Sequence, residues 1–228
     1  MNAEHVLAII PARGGSKGIT RKNLRDCAGR PLVDWTIAAA NDSRRITTAI
    51  LTSEETDILA RGWGKVRRHR RPLDLAHDDT PTEPVIADAL DWWLGEGHEE
   101  PGAIVLLQPT SPQRTGRDID DAIALLERTD ADSVVSVVPS HAFLWTPEGP
   151  LYHERRRRQE LEGRLFEENG SIYVFTLDHW RRTGNRLGGH VELYVMGEEH
   201  RTQVDTPFDL EQVSWQLARE RSRLAATA

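Results

Sequence analysis

The sequence predicts an α/β fold: a mostly parallel central sheet flanked by helices, with a small segment protruding from it. Three observations carry this. Along most of the 228 residues, apolar strand-like runs alternate with stretches of helical apolar spacing, the rhythm of parallel strands joined by crossover helices. One run, "AIVLLQP" at 103–109, is apolar on both faces, as a central strand has to be. The first run, Val6 to Pro11, leads straight into a loop rich in glycine and cations, and open parallel sheets bind ligands beyond such strand ends.

Taken in order, the strand at Val6 to Pro11 is followed by a helix from about Pro31 to Ala40, the strand "TTAILTS", a helix from Glu54 and a strand near Val66. The next helix places Val85, Ile86, Ala89, Leu90 and Trp93 on one face. After the central strand comes a helix with Ile119, Ala122, Ile123 and Leu126 at helical spacing, opened by acidic residues that suit its positive N-terminal end. The strand "DSVVSVV" follows. Residues 139–168, with three prolines, two glycines and the run "ERRRRQELEGR", break the rhythm and read as an excursion from the sheet. "GSIYVFT", a short helix near His179, "HVELYVM" and a final helix carrying Leu210, Val213 and Leu217 complete a Rossmann-like chain. One domain over 1–228 is the expectation, since no repeat or low-complexity linker divides it.

Composition excludes several classes. A net charge of -7 argues against a general nucleic-acid binder. No apolar run approaches the roughly 20 residues that span a bilayer. The single cysteine, Cys27, cannot form an intrachain disulfide, and "HVLAII" is too short for a signal peptide, so a cytoplasmic setting is expected. In so acidic a chain, a local concentration of cations marks a place where anions are handled.

"IIPARGGSKGITRKN" is such a place. Gly14, Gly15 and Gly18 allow close backbone approach, while Arg13, Lys17 and Lys22 supply charge for phosphate oxygens. The order "GGSKG" matches neither a Walker A loop nor a dinucleotide-binding GxGxxG.

The stretch "IIPARGGSKGITRKNL" resembles the signature of the acylneuraminate cytidylyltransferases. Four further segments resemble later motifs of that family, in the family's order: "RRPLDLAHDDTPT", "LLQPTSPQRTGRDID", "RRQELEGRLFEENGSIYVF" and "GGHVELYVMGEEHRTQVDTPFDL". The resemblance runs from about residue 6 to 211. It implies a fold of the nucleotide-diphospho-sugar transferase type and a Mg²⁺-assisted reaction in which a 2-keto sugar acid attacks the α-phosphate of CTP, giving a CMP-sugar and pyrophosphate. It also implies roles. Arg13, Lys17 and Lys22 match phosphate contacts, with Lys22 at the α-phosphate, and Gly14, Gly15, Ser16 and Asn23 match loop positions for the nucleotide. Arg71 and Thr82 fall where the family contacts cytidine. Gln108 and Tyr173 fall where it faces the sugar. Arg157, Arg158 and Gln159 lie in the segment that crosses to a homodimer partner and helps hold the sugar carboxylate. Asp205 matches a metal ligand, but Gln203 stands where the family commonly has a second acid, and a neutral amide is a weaker ligand for a hard cation.

The remaining conspicuous residues have plainer readings. Arg67, Arg68 and Arg70 read as a solvated run. Asp78 and Asp79 read as caps of the next helix, and Asp209 belongs to the first turn of the last one. Trp92, Trp93 and Trp215 read as packing, Asn169 belongs to "ENGSIYVF", and His141 is given no role. No two of the nine histidines lie within four residues, so no zinc pattern exists. Two alternatives stay open: a cytidylyltransferase for an eight-carbon sugar acid or phosphonate acceptor, and a noncatalytic nucleotide-binding protein of the same fold.

Overall fold

The structure, a computed structural model, describes residues 5–152, 154–155, 157–161 and 165–227. Its frame follows the predicted alternation. Strand β1 (Val6–Pro11) is followed by a two-residue hairpin, β2 (Asp26–Cys27) and β3 (Arg30–Pro31), then α1 (Leu32–Asp42), β4 (Thr48–Ser53), α2 (Thr56–Leu59) and β5 (Val66–Arg70). Helix α3 (Thr82–Gly95), β6 (Ala103–Leu107), α4 (Gly116–Thr129) and β7 (Ser133–Pro139) come next. A small hairpin, β8 (Trp145–Thr146) and β9 (Gly149–Pro150), and the one-turn helix α5 (Arg158–Leu161) lead to β10 (Phe166–Thr176). Helix α6 (Leu177–Thr183), β11 (Val191–Val195) and α7 (Pro207–Thr227) end the described chain.

Seven strands form one sheet in the order β11-β7-β10-β6-β1-β4-β5. All pairs are parallel except those of β10, which runs antiparallel to both β6 and β7. The centre of the sheet is apolar on both faces because both are covered. Along β1, Val6, Ala8 and Ile10 join the core under α1 and α4, while Leu7 and Ile9 join the core under α3 and α6. Helix α4 is held at its start by a capping box between Thr115 and Asp118. A third cluster seats α7: Val213 and Leu217 pack against Leu32, Trp35 and the buried Cys27.

Two elements differ from the reading by periodicity. The helix expected from Glu54 is a single turn, because Gly62 and Gly64 follow it, the latter at φ 64° and close against Asn41. The excursion is also narrower than 139–168. Pro139 closes β7, and Phe166 to Glu168 already pair with Val137 to Pro139, so β10 belongs to the main sheet from Phe166 onward. A bulge between Glu168 and Tyr173, with Gly170 at φ 62°, re-registers the strand and hides the continuity from the sequence. Of the excursion, residues 153, 156 and 162–164, within the "ERRRRQELEGR" run, lie outside the described residues.

Candidate active site

The loop after β1 is shaped by bonds to its neighbours. Ala12 N donates to Thr52 O, and the buried Asn23 donates from Nδ2 to Arg13 O at 2.8 Å. Gly14 N donates to Glu54 Oε1 at 2.6 Å. Arg21 takes a left-handed conformation, φ 53°, that turns the chain into a short 3-10 helix, Lys22–Leu24, and so aims Lys22 back across the loop. Gly18 lies so close to the segment before α7 that a Cβ there would collide with the Asp205 carbonyl. Here the glycine is required by contact. Gly15, by contrast, has nothing within 4 Å of where a Cβ would stand.

That approach brings together residues almost two hundred apart. Lys22 Nζ donates to Val204 O and to Asp205 Oδ1, each at 2.8 Å, while Val204 N donates to Thr110 O at 2.7 Å, tying the same segment to the turn after β6. Asp209 accepts from Asp205 N and Thr206 N and so caps α7 from its first turn, as expected.

Around this junction lies a cavity of about 300 Å³. The loop contributes Arg13, Gly15, Ser16, Lys22 and Asn23; the start of α3 contributes Thr82; Gln108 enters it just past the end of β6; and Arg71, after β5, and Gln203 and Asp205, before α7, line it from two further stretches of chain. The rim of the sheet thus assembles most of the residues singled out in the sequence. Gly14 and Lys17 are not in its wall, although Lys17, 84% exposed, reaches toward it through Asp78.

Arg71 is the deepest cation, its side chain 4% exposed beside Glu54 at 3.3 Å. Burial pulls its guanidinium below the usual arginine range, and the Glu54 carboxylate opposes that shift. Its Nη1 donates to Leu75 O, while Nη2 is buried and has no hydrogen-bond partner among the described residues. Such a donor points to a ligand. Arg67, Arg68 and Arg70 are exposed, as a solvated run should be. Glu54 carried no sequence signal of its own. Its work, joining the loop amide of Gly14 to Arg71, depends on β4 and β5 being neighbours.

Two capping assignments fail. Helix α3 begins after Pro81 with no side-chain cap; Asp78 instead sits against Arg13 Nη1 and lies 3.5 Å from Lys17 Nζ. The pull of two cations outweighs a cap four residues away. Trp215 is likewise no packing residue: it is 62% exposed on α7 with Arg219 over its ring.

Tyr173 lies in the core beneath α3 and α6 and does not line the cavity. Its hydroxyl donates to Glu168 Oε2 at 3.0 Å, Arg186 stacks on its ring, and burial raises its pKa to about 12. Asn169 is fully engaged, accepting from Ser136 and donating to His200 O. Arg157 and Gln159 are exposed in and before α5, away from the cavity wall; the side chain of Arg158 lies outside the described residues.

Sequence reasoning passed over Arg114, in "SPQRT". It is 3% exposed and has no carboxylate in hydrogen-bond contact: Nε donates to Ser171 Oγ at 3.1 Å, Nη1 to Thr36 Oγ1 at 2.7 Å and Nη2 to Gln108 O. Burial lowers its pKa to about 9. This one side chain fastens the end of β6, and with it Gln108, to α1 and β10.

As for a metal, no cluster of three or more histidine, cysteine, aspartate or glutamate side chains is arranged to hold one among the described residues. The donors at hand are the Asp205 carboxylate, shared with Lys22, and the Gln203 amide, which packs over Gly170. That set suits a Mg²⁺ ion carried in by phosphate oxygens, which needs only one or two carboxylates from protein.

A cavity beyond the strand ends, lined by a glycine-rich basic loop, lies where open, mostly parallel α/β sheets bind their ligands. The fold matches two solved structures: a CMP:2-keto-3-deoxy-manno-octonic acid synthetase complexed with CTP, with TM-score 0.70 and 16% identity over 95% of this chain and all of that one, and a 4-diphosphocytidyl-2C-methyl-D-erythritol synthase from Anaerococcus prevotii, with TM-score 0.60 and 13% identity over 93% and 96%. The model of the cytidylyltransferase family matches residues 7–144, and the chain belongs to that family. Among curated proteins it is similar to N-acylneuraminate cytidylyltransferase A of Danio rerio, 32% identical over 96% of this chain and 51% of the relative, and to N-acylneuraminate cytidylyltransferase of Escherichia coli, 30% identical over 90% and 50%. The resemblance read from the motifs is thereby supported. The chain spans about half the length of the curated relatives it matches.

Proposed function

We propose that the protein transfers cytidylate from CTP to a nonulosonic, sialic-acid-like sugar acid, giving a CMP-sugar and pyrophosphate. The observation that carries this reading is the convergence of Arg13, Ser16, Lys22 and Asn23 with Arg71, Thr82, Gln108 and Asp205 on one cavity. The unpartnered Nη2 of Arg71 supports a base or ribose at the inner end, and the loop cations support a triphosphate at the outer one. The acceptor hydroxyl attacks the α-phosphorus, the bond from that phosphorus to the bridging oxygen breaks, pyrophosphate leaves and the hydroxyl proton passes to solvent. Such a reaction needs alignment and charge neutralisation more than covalent help. Lys22, held by Val204 O and Asp205, is positioned for the α-phosphate; Arg13 and Lys17 meet the leaving phosphates. Mg²⁺, at Asp205 and the phosphates, would add neutralising charge to the triphosphate. Gln108, fixed by Arg114, faces the sugar acid.

The same reading takes the protein as a cytoplasmic homodimer of one domain, in which Arg157, Arg158 and Gln159 reach a partner's acceptor and Tyr173 supports the sugar side from within β10. Among the described residues no helix is long and apolar enough to cross a membrane. Pyrophosphate release with CTP, Mg²⁺ and a panel of nonulosonic and eight-carbon sugar acids tests the activity. Release with a nonulosonic acid is expected, and Lys22→Ala should lower the rate on the order of 100- to 1000-fold. A folded Lys22→Ala enzyme with unimpaired turnover would remove Lys22 from the chemistry, and release only with an eight-carbon acid would replace the acceptor.

A further inference from the structure

We propose that Asp78 stands in for a substrate phosphate when no nucleotide is bound: its carboxylate holds Arg13 and Lys17, and an incoming polyphosphate displaces it. The inference rests on the reading of this cavity as a triphosphate site. Asp78 lies in the turn before α3, lines the cavity, and places one oxygen against Arg13 Nη1 and the other 3.5 Å from Lys17 Nζ. The loop's other two cations are taken elsewhere: Lys22 by Asp205 and Val204, and Arg21 by Glu55 and Asp57.

Three features make the pairing exchangeable. First, Asp78 does nothing for the turn that carries it: no backbone N–H among the described residues donates to it, and α3 starts without its help. Second, the contact with Arg13 is Coulombic, because Nη1 is buried and finds no aligned acceptor. A phosphate oxygen arriving in line gains a charge-assisted hydrogen bond that Asp78 leaves unmade. Third, the side chains of Arg13 and Asp78 are about one-third exposed, at 33% and 29%, and that of Lys17 far more, so water screens both pairs and each is weak. A triphosphate carries more charge than one carboxylate and wins the exchange. When pyrophosphate departs, Asp78 returns to the cations, which lowers the affinity of the loop for its product.

The consequence is opposite in sign to the usual effect of removing a site residue. Asp78→Asn, isosteric and at the surface, should bind both CTP and inorganic pyrophosphate about three- to tenfold more tightly, since two screened ion pairs no longer have to be broken. Isothermal titration calorimetry of the full chain at fixed Mg²⁺ and ionic strength reads this directly. Glu96→Gln, at the far end of α3, makes the same change in net charge and should leave both affinities at wild-type values. Unchanged or weaker binding by Asp78→Asn overturns the inference, as does equal tightening in Glu96→Gln, which would make the effect one of overall charge. A wild-type protein that binds CTP and pyrophosphate alongside an unaltered Asp78→Asn sinks this inference alone. Wild-type protein that binds neither sinks the triphosphate reading with it.

Discussion

Gly18 shows how much of the site depends on single atoms. Its hydrogen faces the Asp205 carbonyl, and any Cβ would push that backbone away from Lys22. Gly18→Ala is therefore expected to fold normally, since the loop is exposed, yet to lose activity on the order of 100-fold, the cost of displacing a site group by about 1 Å. Steady-state kinetics beside a thermal melt would check it; an active, stable variant would mean the Asp205 segment adapts. Glu54 and Asp78 make the complementary point. Both are acids that reach the cations of the site, one from the end of β4 and one from the turn before α3. Glu54 carries no sequence signal that sets it apart from the other acidic residues of the chain, and the signal of Asp78 pointed to a helix cap.

At the level of elements, the site is a meeting of strand ends and the turns that follow them. Gln108 enters the cavity just past the end of β6, and Arg114 holds it there by tying its carbonyl to α1 and β10. Arg114→Met would remove a buried charge but orphan the Thr36 and Ser171 hydroxyls, so roughly 1–3 kcal/mol of stability should be lost. Denaturant unfolding measures that term. In the same variant, KM for the acceptor should rise more than KM for CTP, because Gln108 loses its anchor while the loop after β1 keeps its own. An equal change in both would assign Arg114 a purely structural role. The bulge in β10 belongs to this scale as well: Gly170 at φ 62° lets one strand pair in two registers and lays Gln203 over the gap.

For the whole molecule, the excursion between β7 and β10 presents Leu144, Trp145 and Leu151, all more than 60% exposed, on and beside the β8–β9 hairpin. Such a patch supports the proposed homodimer. Sedimentation is expected to show a dimer, and Trp145→Glu combined with Leu151→Lys to shift it toward monomer. Activity should fall with the dimer if Arg157, Arg158 or Gln159 acts across the interface. A monomeric double variant with full turnover would place the entire acceptor site within one chain.

The sequence by itself determined the α/β alternation, the central position of "AIVLLQP", the phosphate-type loop and the family, because periodicity, glycine placement and ordered motifs are local properties that survive without coordinates. It also named Lys22, Arg71, Gln108 and Asp205. What it could not supply was who touches whom. The pairing of Lys22 with Asp205, the brace of Arg114, the bridge from Gly14 through Glu54 to Arg71 and the hold of Asp78 on Arg13 and Lys17 join residues 6 to 183 positions apart. The longer of these links exist only once β1, β4 and β6 lie side by side and the segment before α7 returns to the turn after β6. Tertiary structure also turned Asp78 from a helix cap into a counterion, since a carboxylate free to move goes to the strongest field within reach, and the chain order does not say where that field will be.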